Sequence, residues 1–162
     1  MKLLTDASNI IAFYSENELN EPCLLNSLKE HGYQIIVPQK VYEEIKRGKK
    51  STILHLCDAI RKGIVKIDPD GTEDEINAMQ RRNPKLDSGE IQVLLMGEEC
   101  KEKDEEYYCV IDEGPGRQIA KRRSLCLQGT IGILNLLEAL KIISPAKREI
   151  LYRRLECSTF RI

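Results

Sequence analysis

Aromatic and histidine residues are scarce in this 162-residue chain, which has no tryptophan, two phenylalanines and two histidines. With so few aromatic side chains, base stacking is not expected to dominate any contact with nucleic acid. No Ser-His-Asp or Cys-His arrangement is evident around His31 or His55. A phosphate-binding loop of the Gly-x-x-x-x-Gly-Lys type is also absent. The sequence therefore lacks the signatures of several common enzyme classes.

Charge of one sign is not in excess, because 25 Lys and Arg residues are matched by 26 Asp and Glu residues. The formal net charge of -1 excludes a uniformly basic nucleic-acid-binding surface but not local basic patches. No apolar run approaches the roughly 18 residues of a membrane span. Asp6 interrupts the apolar N-terminus too early for a secretory signal. We therefore expect a cytoplasmic protein with no membrane partner.

Six cysteines are present, but no two of them form a C-x-x-C pair. Structural zinc sites use closely spaced ligands, so the spacing argues against zinc. We expect the cysteines to be ordinary buried apolar residues of a reducing compartment. No repeat or Pro/Gly-rich linker divides the chain, so residues 1–162 are predicted to form one domain.

Short apolar runs alternate with helical patterns along the chain. Strands are predicted near residues 2–5, 34–37, 64–67, 107–111 and 125–128. Helices are predicted near residues 24–31, 41–47, 51–62, 72–83, 87–103, 116–123, 131–140 and 145–157. Such alternation favours a mainly parallel sheet with helices on both faces. The predicted fold is α/β, a three-layer α/β/α sandwich with about four or five strands.

Two of the most apolar predicted strands end in a carboxylate, Asp6 in one case and Asp112 in the other. In an open α/β sheet, ligands bind beyond the carboxyl ends of the strands. Two buried carboxylates there would repel each other, and a divalent cation with hard oxygen ligands would resolve the conflict. Glu44, after Pro38, and Glu90, at the start of the long helix, are further candidates. Each of these residues alone could equally be an ordinary capping or solvated helix residue.

Five segments of the chain follow one another in the order typical of one protein family. They are "LLTDASNII", "IIVPQKVYEEI", "LDSGEIQVLL", "YYCVIDEGPGRQIA" and "LQGTIGILNLLEA". In this order they resemble PIN domains, and most closely the prokaryotic branch that includes the VapC-type toxin ribonucleases. The resemblance extends from about Leu3 to Ala139, with the motifs lying within residues 3–140.

The resemblance implies a Mg²⁺- or Mn²⁺-dependent endoribonuclease acting on single-stranded or structured RNA with one or two bound ions. It implies the following catalytic residues: Asp6, Glu44, Glu90 and Asp112. Asp6, Glu90 and Asp112 would bind the metal, with Asp87 and Glu113 as additional candidates. Glu113 stands where many relatives carry a second Asp, and adjacent Glu43 leaves the register of Glu44 open. Thr130 resembles a residue of the family's last turn, for which we expect a structural role.

Two basic clusters follow the candidate carboxylates and are predicted to border the site and contact RNA phosphates. The predicted RNA-binding residues are Lys46, Arg47, Arg117, Lys121 and Arg122. The VapC-like resemblance also implies a toxin of a toxin–antitoxin pair, with a homodimeric state and an antitoxin protein as partners.

Two alternatives to a toxin ribonuclease follow from the same residues. One is a catalytically inactive PIN-like RNA-binding or scaffold protein, against which the presence of all four carboxylates argues. The other is a phosphatase of the haloacid dehalogenase type, because the segments "LLTDAS" and "VIDE" of this chain loosely resemble motifs of that family. That family has a second Asp two residues after its nucleophile, where this chain has Ser8.

Overall fold

A parallel sheet of five strands forms the centre of the computed structural model, which describes residues 1–69, 72–112 and 114–158. The strands are β1 Lys2–Thr5, β2 Gln34–Pro38, β3 Val65–Asp68, β4 Tyr107–Val110 and β5 Leu127–Gln128. Their order is β3-β2-β1-β4-β5, and every neighbouring pair is parallel. The chain thus winds from β1 to one edge and then returns to β4 on the other side of β1.

Helices connect the strands and cover the sheet. In the described parts of the chain they are α1 Ala7–Tyr14, α2 Pro22–Ser27, α3 Gln39–Arg47, α4 Lys50–Arg61, α5 Glu73–Arg82, α6 Ser88–Glu102, α7 Gly114–Arg122, α8 Thr130–Ala139 and α9 Pro145–Cys157. A short 3₁₀ helix, Leu28–His31, extends α2 and ends at Gly32, whose φ of +82° suits glycine. The α/β fold with three layers is therefore confirmed.

The two faces of the sheet pack against separate apolar clusters because alternate strand residues point in opposite directions. Leu3 faces one cluster, together with residues of α1, α4, α8 and α9. Leu4 faces the other, with residues of α5, α6 and α7. Both leucines are fully buried. The double burial explains why the strands are continuous apolar runs in the sequence.

Sequence periodicity did not predict α1. The helix is buried on most sides, its buried residues being Ala7, Asn9, Ile10, Ala12, Phe13 and Tyr14. A helix enclosed in this way has no polar face, so its sequence lacks the amphipathic pattern by which helices are recognised.

The cysteines differ from the expectation that all six are buried. Only Cys100 and Cys109 are buried, whereas four are exposed: Cys23, Cys57, Cys126 and Cys157. All six are free thiols. Burial raises the pKa of Cys100 to about 11, with hydrogen bonding to Glu105 adding to the shift. In the parts of the chain that the structure describes, no helix is both long and apolar enough to cross a bilayer.

Candidate functional site

The carboxyl ends of β1 and β4 meet at the point where the strand order reverses. β1 and β4 are neighbours in register, with Thr5 beside Val110. Asp6 follows β1 directly, and its backbone N–H donates a hydrogen bond of 3.2 Å to the carbonyl of Val110. Asp112 follows two residues after Val110. The reversal point of an open parallel sheet is where ligands generally bind, and both aspartates lie there.

Asp6 is the most buried of the candidate carboxylates that the structure describes, with 3% of its surface exposed. Its Oδ1 accepts a hydrogen bond of 3.1 Å from the backbone N–H of Asn9 and so caps α1. Burial raises the pKa of Asp6 well above its usual value, and the nearby carboxylates of Asp112 and Glu90 raise it further. Backbone hydrogen bonds from Asn9 and Asp112 act in the opposite direction. Negative charge at Asp6 is therefore unfavourable unless a positive group compensates it.

Glu90 is brought to the same place by the first turn of α6. The N–H of Glu90 donates to Asp87 Oδ1 at 2.7 Å, and the N–H of Asp87 donates to Glu90 Oε2 at 3.3 Å. This capping box holds both side chains at the helix terminus. Glu90 is 4% exposed and Asp87 is exposed. A methyl group at Gly116 would lie 2.6 Å from Glu90 Oε1, so α7 approaches Glu90 closely only because residue 116 is glycine.

A small cavity of about 40 Å³ collects four of the predicted carboxylates. Asp6, Glu44, Asp87 and Glu90 all line it, with Ser8 beside them. Glu44 is exposed and reaches the cavity from α3. The neighbouring Glu43 instead accepts a hydrogen bond of 3.1 Å from Gln39 Nε2. The geometry thus places Glu44, and not Glu43, beside Asp6.

Asp112 is held by the N-terminus of α8. The backbone N–H of Thr130 donates to Asp112 Oδ1 at 2.7 Å, and the Thr130 hydroxyl donates to Oδ2 at 2.6 Å. The same hydroxyl accepts a hydrogen bond of 3.1 Å from Nδ2 of Asn9, which is fully buried. A helix N-terminus favours an anion, so this arrangement supports a charged Asp112.

Sequence reasoning missed this link from Asn9 through Thr130 to Asp112. A structural role was expected for Thr130, whereas its hydroxyl contacts a candidate catalytic carboxylate directly. A signal was available: Thr130 begins a helix directly after a strand at the same edge of the sheet. Asn9 carried no comparable signal, because α1 itself was not predicted.

Asp112 also borders a larger cavity of about 460 Å³ on the β5 side of the site. Gly114, Arg117, Gln128, Gly129, Ile131 and Gly132 complete its lining. A third cavity of about 320 Å³ lies on the other side, where Glu44 separates it from the carboxylate cavity. Lys49 and Thr52 line this third cavity. The carboxylates are therefore flanked by a larger cavity on each side.

Arg117, which is predicted to contact RNA, also donates hydrogen bonds within the fold. Its Nη1 donates to the carbonyl of Ile111 at 2.7 Å and to that of Gln128 at 3.1 Å. Through these bonds Arg117 joins the ends of β4 and β5. Its half-buried side chain acts within the fold and forms a wall of the 460 Å³ cavity.

Lys121 and Arg122 lie in the last turn of α7. They lie five and six residues beyond Gly116 on α7, which at about 1.5 Å per residue corresponds to roughly 7–9 Å along the helix axis. The end of α7 lies at the end of α6 that is remote from Glu90, because Arg123 Nη1 and Glu98 Oε1 form an ion pair of 2.5 Å there. A crossover helix leads away from the edge where it begins, and the expectation that this cluster borders the site and contacts RNA phosphates stays a prediction.

Lys46 and Arg47 are exposed and follow Glu44 by two and three residues on α3, so they lie on the side of the site where Glu44 stands. Lys85, also exposed, precedes Asp87 by two residues and is a basic neighbour that the sequence reasoning did not include. Glu113, a predicted additional metal ligand, lies outside the described residues.

The residues fit a divalent metal by their chemistry. Among the described residues, no three His, Cys, Asp or Glu side chains are arranged to hold one metal ion as they stand. Asp6, Glu44, Glu90 and Asp112 nevertheless offer only carboxylate oxygens, the ligands that Mg²⁺ and Mn²⁺ prefer. Asp6 is buried beside two like charges, a situation that a bound cation would relieve.

Comparison with known proteins identifies the family. A family model described as PIN domain matches residues 2–162. A search of curated proteins found no match. The match spans nearly the whole chain and agrees with the parallel sheet and the acidic site at its carboxyl edge. PIN domains are generally nucleases, and by this match the chain belongs to the PIN domain family.

Proposed function

We propose that the protein is a metal-dependent endoribonuclease that hydrolyses phosphodiester bonds of single-stranded RNA. The observation that carries the proposal is the convergence of carboxylates from separate elements on one sheet edge. Asp6 follows β1, Glu44 comes from α3, Glu90 begins α6 and Asp112 follows β4. Such a cluster is unfavourable for stability alone, which supports a role in binding a cation.

Asp6, Glu90 and Asp112 would hold one or two Mg²⁺ or Mn²⁺ ions, with Asp87 and Glu113 as additional ligands. When bound, the metal would neutralise charge on a phosphate oxygen and lower the pKa of a water molecule. Asp6 would contribute a buried, preorganised carboxylate, because its burial and helix cap restrict its motion. Thr130 would keep both oxygens of Asp112 in place.

Glu44 would orient the attacking water, since its exposed carboxylate lines the cavity beside Asp6 and can exchange protons with solvent. In-line attack on phosphorus would leave a 3′-hydroxyl and a 5′-phosphate. Lys46 and Arg47 would contact the RNA backbone, because both are exposed within one turn of Glu44.

The VapC-like motif order supports a role as the toxin of a toxin–antitoxin pair acting in the cytoplasm. In that role the protein would form a homodimer and bind an antitoxin protein that covers the acidic site. Membership of the PIN family removes the haloacid dehalogenase alternative. A catalytically inactive RNA-binding or scaffold protein remains the second candidate, favoured only by the absence of a ready metal arrangement among the described side chains.

Cleavage of single-stranded RNA with Mn²⁺ or Mg²⁺ tests the proposal. We expect the wild type to cleave and Asp6→Asn and Asp112→Asn to be inactive. Glu102→Gln is the matched control, because Glu102 is exposed at the far end of α6. If the metal-loaded wild type cleaves none of a varied set of RNAs but binds them, the scaffold function replaces the enzyme. If both aspartate variants cleave normally, the site assignment fails.

A further inference from the structure

The cavity of about 460 Å³ beside Asp112 is large enough for a nucleobase together with its ribose, since small-molecule sites typically measure about 300–1,000 Å³. Asp112 forms part of its wall, so an occupant of the cavity lies next to the chemistry. A single strand whose phosphate sits at the carboxylates must place its neighbouring nucleosides on either side of them. The two flanking cavities are where those nucleosides can go.

The lining of the cavity suits a flat ring. Gly114, Gly129 and Gly132 contribute no side chains to it, and Ile131 contributes an apolar surface. A methyl group at Gly129 would lie 2.8 Å from Asp112 Oδ1 and 2.9 Å from Arg117 Nη1, so residue 129 has room for no side chain. Arg117 fixes the wall by binding the carbonyls of Ile111 and Gln128. The shape is therefore set by backbone that the fold itself holds.

Gln128 lines the cavity, and its side-chain amide is available to hydrogen-bond with a bound nucleobase. Its backbone carbonyl is bound by Arg117, but within residues 1–69, 72–112 and 114–158 no hydrogen bond involves its side-chain amide. The amide extends over Gly132, where a methyl group would overlap Oε1. One amide offers a donor and an acceptor side by side, which matches the paired acceptor and donor on an edge of adenine.

We propose that the Asp112–Gly132 cavity is a nucleobase subsite in which Gln128 reads an adenine adjacent to the scissile phosphate. The inference rests on the proposed ribonuclease function, which it deepens by naming a sequence preference. Gln128 is a specificity-determining residue in this scheme and takes no part in the bond cleavage.

The test is cleavage of a randomised single-stranded RNA library with Mn²⁺, followed by sequencing of the cut ends. The wild type should favour adenine at one fixed position beside the cut by about tenfold, the order expected for a bidentate amide–base contact. Gln128→Ala should lose that preference, so that adenine is no more frequent than the other bases at that position of the sequenced ends. Gly132→Ala should weaken the preference too, because the added methyl displaces the Gln128 amide while the helix residue itself is improved.

Gln118→Ala is the matched control, since Gln118 is an exposed glutamine on α7 that does not line the cavity. An unchanged preference in Gln128→Ala overturns the subsite, as does a wild type that cuts without preference at every position. A second measurement does not need catalysis: adenosine monophosphate should shift the Gln128 side-chain amide signals in NMR spectra more than uridine monophosphate does. A wild type that cleaves no RNA but shows this shift defeats the ribonuclease proposal alone, whereas equal or absent shifts defeat the subsite.

Discussion

The hydroxyl of Thr130 joins two buried polar groups, and its removal gives the most direct measure of how the site is held. Thr130→Val keeps the shape of the side chain but deletes the hydroxyl. Asn9 Nδ2 then loses its partner at 3.1 Å, and Asp112 Oδ2 loses its partner at 2.6 Å. The backbone N–H of Thr130 still binds Asp112 Oδ1.

The two losses differ in size because the groups differ in exposure. Asn9 is fully buried, so its orphaned N–H costs about 1–3 kcal/mol. Asp112 is half-buried, and water can replace part of its bond, so that loss is smaller, about 1 kcal/mol or less. We therefore expect Thr130→Val to lower the free energy of unfolding by about 1–4 kcal/mol, with a fall in Tm of roughly 2–16 °C.

Urea denaturation of metal-free protein measures the effect. Thr130→Ser is the control, because it keeps the hydroxyl and removes only a methyl group. A cycle with Asn9→Ala then isolates the buried contact: in that background no N–H is orphaned, so Thr130→Val should cost at least about 1 kcal/mol less. Equal costs in both backgrounds, within about 0.5 kcal/mol, would refute the link through the Thr130 hydroxyl.

The remaining predictions concern the charges, the thiols and the half-buried Arg117. The raised pKa of Asp6 means that the folded protein binds more protons than the unfolded chain between about pH 4 and the folded pKa, so this residue lowers stability as pH rises through that window. Asp6→Asn should therefore stabilise the metal-free protein more at pH 7 than at pH 4; an equal effect at both pH values in urea melts contradicts the assignment. Mn²⁺ at a hundred times its Kd should stabilise the wild type by about 2.7 kcal/mol and leave Asp6→Asn nearly unchanged in thermal melts, and equal stabilisation of both would place the ion elsewhere. Native protein should present four thiols to a bulky disulfide reagent and six after denaturation, because only Cys100 and Cys109 are buried; six reactive thiols in the native state would contradict the fold around α6 and β4. Arg117→Met should lower the free energy of unfolding by about 1–3 kcal/mol, because it keeps the aliphatic stem but removes the Nη1 donors to the carbonyls of Ile111 and Gln128, and stability within about 0.5 kcal/mol of wild type would show that the contact carries little weight.

Strand positions and most helices were predictable because they depend on local patterns. β1 and β4 are apolar runs that each end near an Asp, and the capping box at Asp87 and Glu90 is written in four consecutive residues. In a parallel sheet the carboxyl ends share one edge, so the strand pattern placed Asp6 and Asp112 at the same edge, whereas the pairing of β1 with β4 that makes them neighbours came from the tertiary structure. The helix α1 was not predicted, because burial on most sides removes the periodic polar residues by which a helix is recognised.

Side-chain partnerships were not predictable to the same degree. Glu43 and Glu44 are adjacent and alike in the sequence, and only the packing of α3 decides which one lines the site. The hydrogen bonds from Arg117 Nη1 to two backbone carbonyls could not be predicted from the sequence. Lys121 and Arg122 follow Asp112 closely in residue number, but their place in the last turn of α7 depends on the path of the helix.

The sequence by itself determined the α/β class, the parallel sheet and the edge at which the carboxylates gather, because apolar runs, caps and strand ends are local properties of the chain. Only the tertiary structure decided that Asn9 and Thr130 hold Asp112, that four cysteines are exposed, and that a cavity with Gln128 adjoins the site. These features depend on contacts between residues as far apart as Asn9 and Thr130, and such distances in the chain leave no mark on the local pattern.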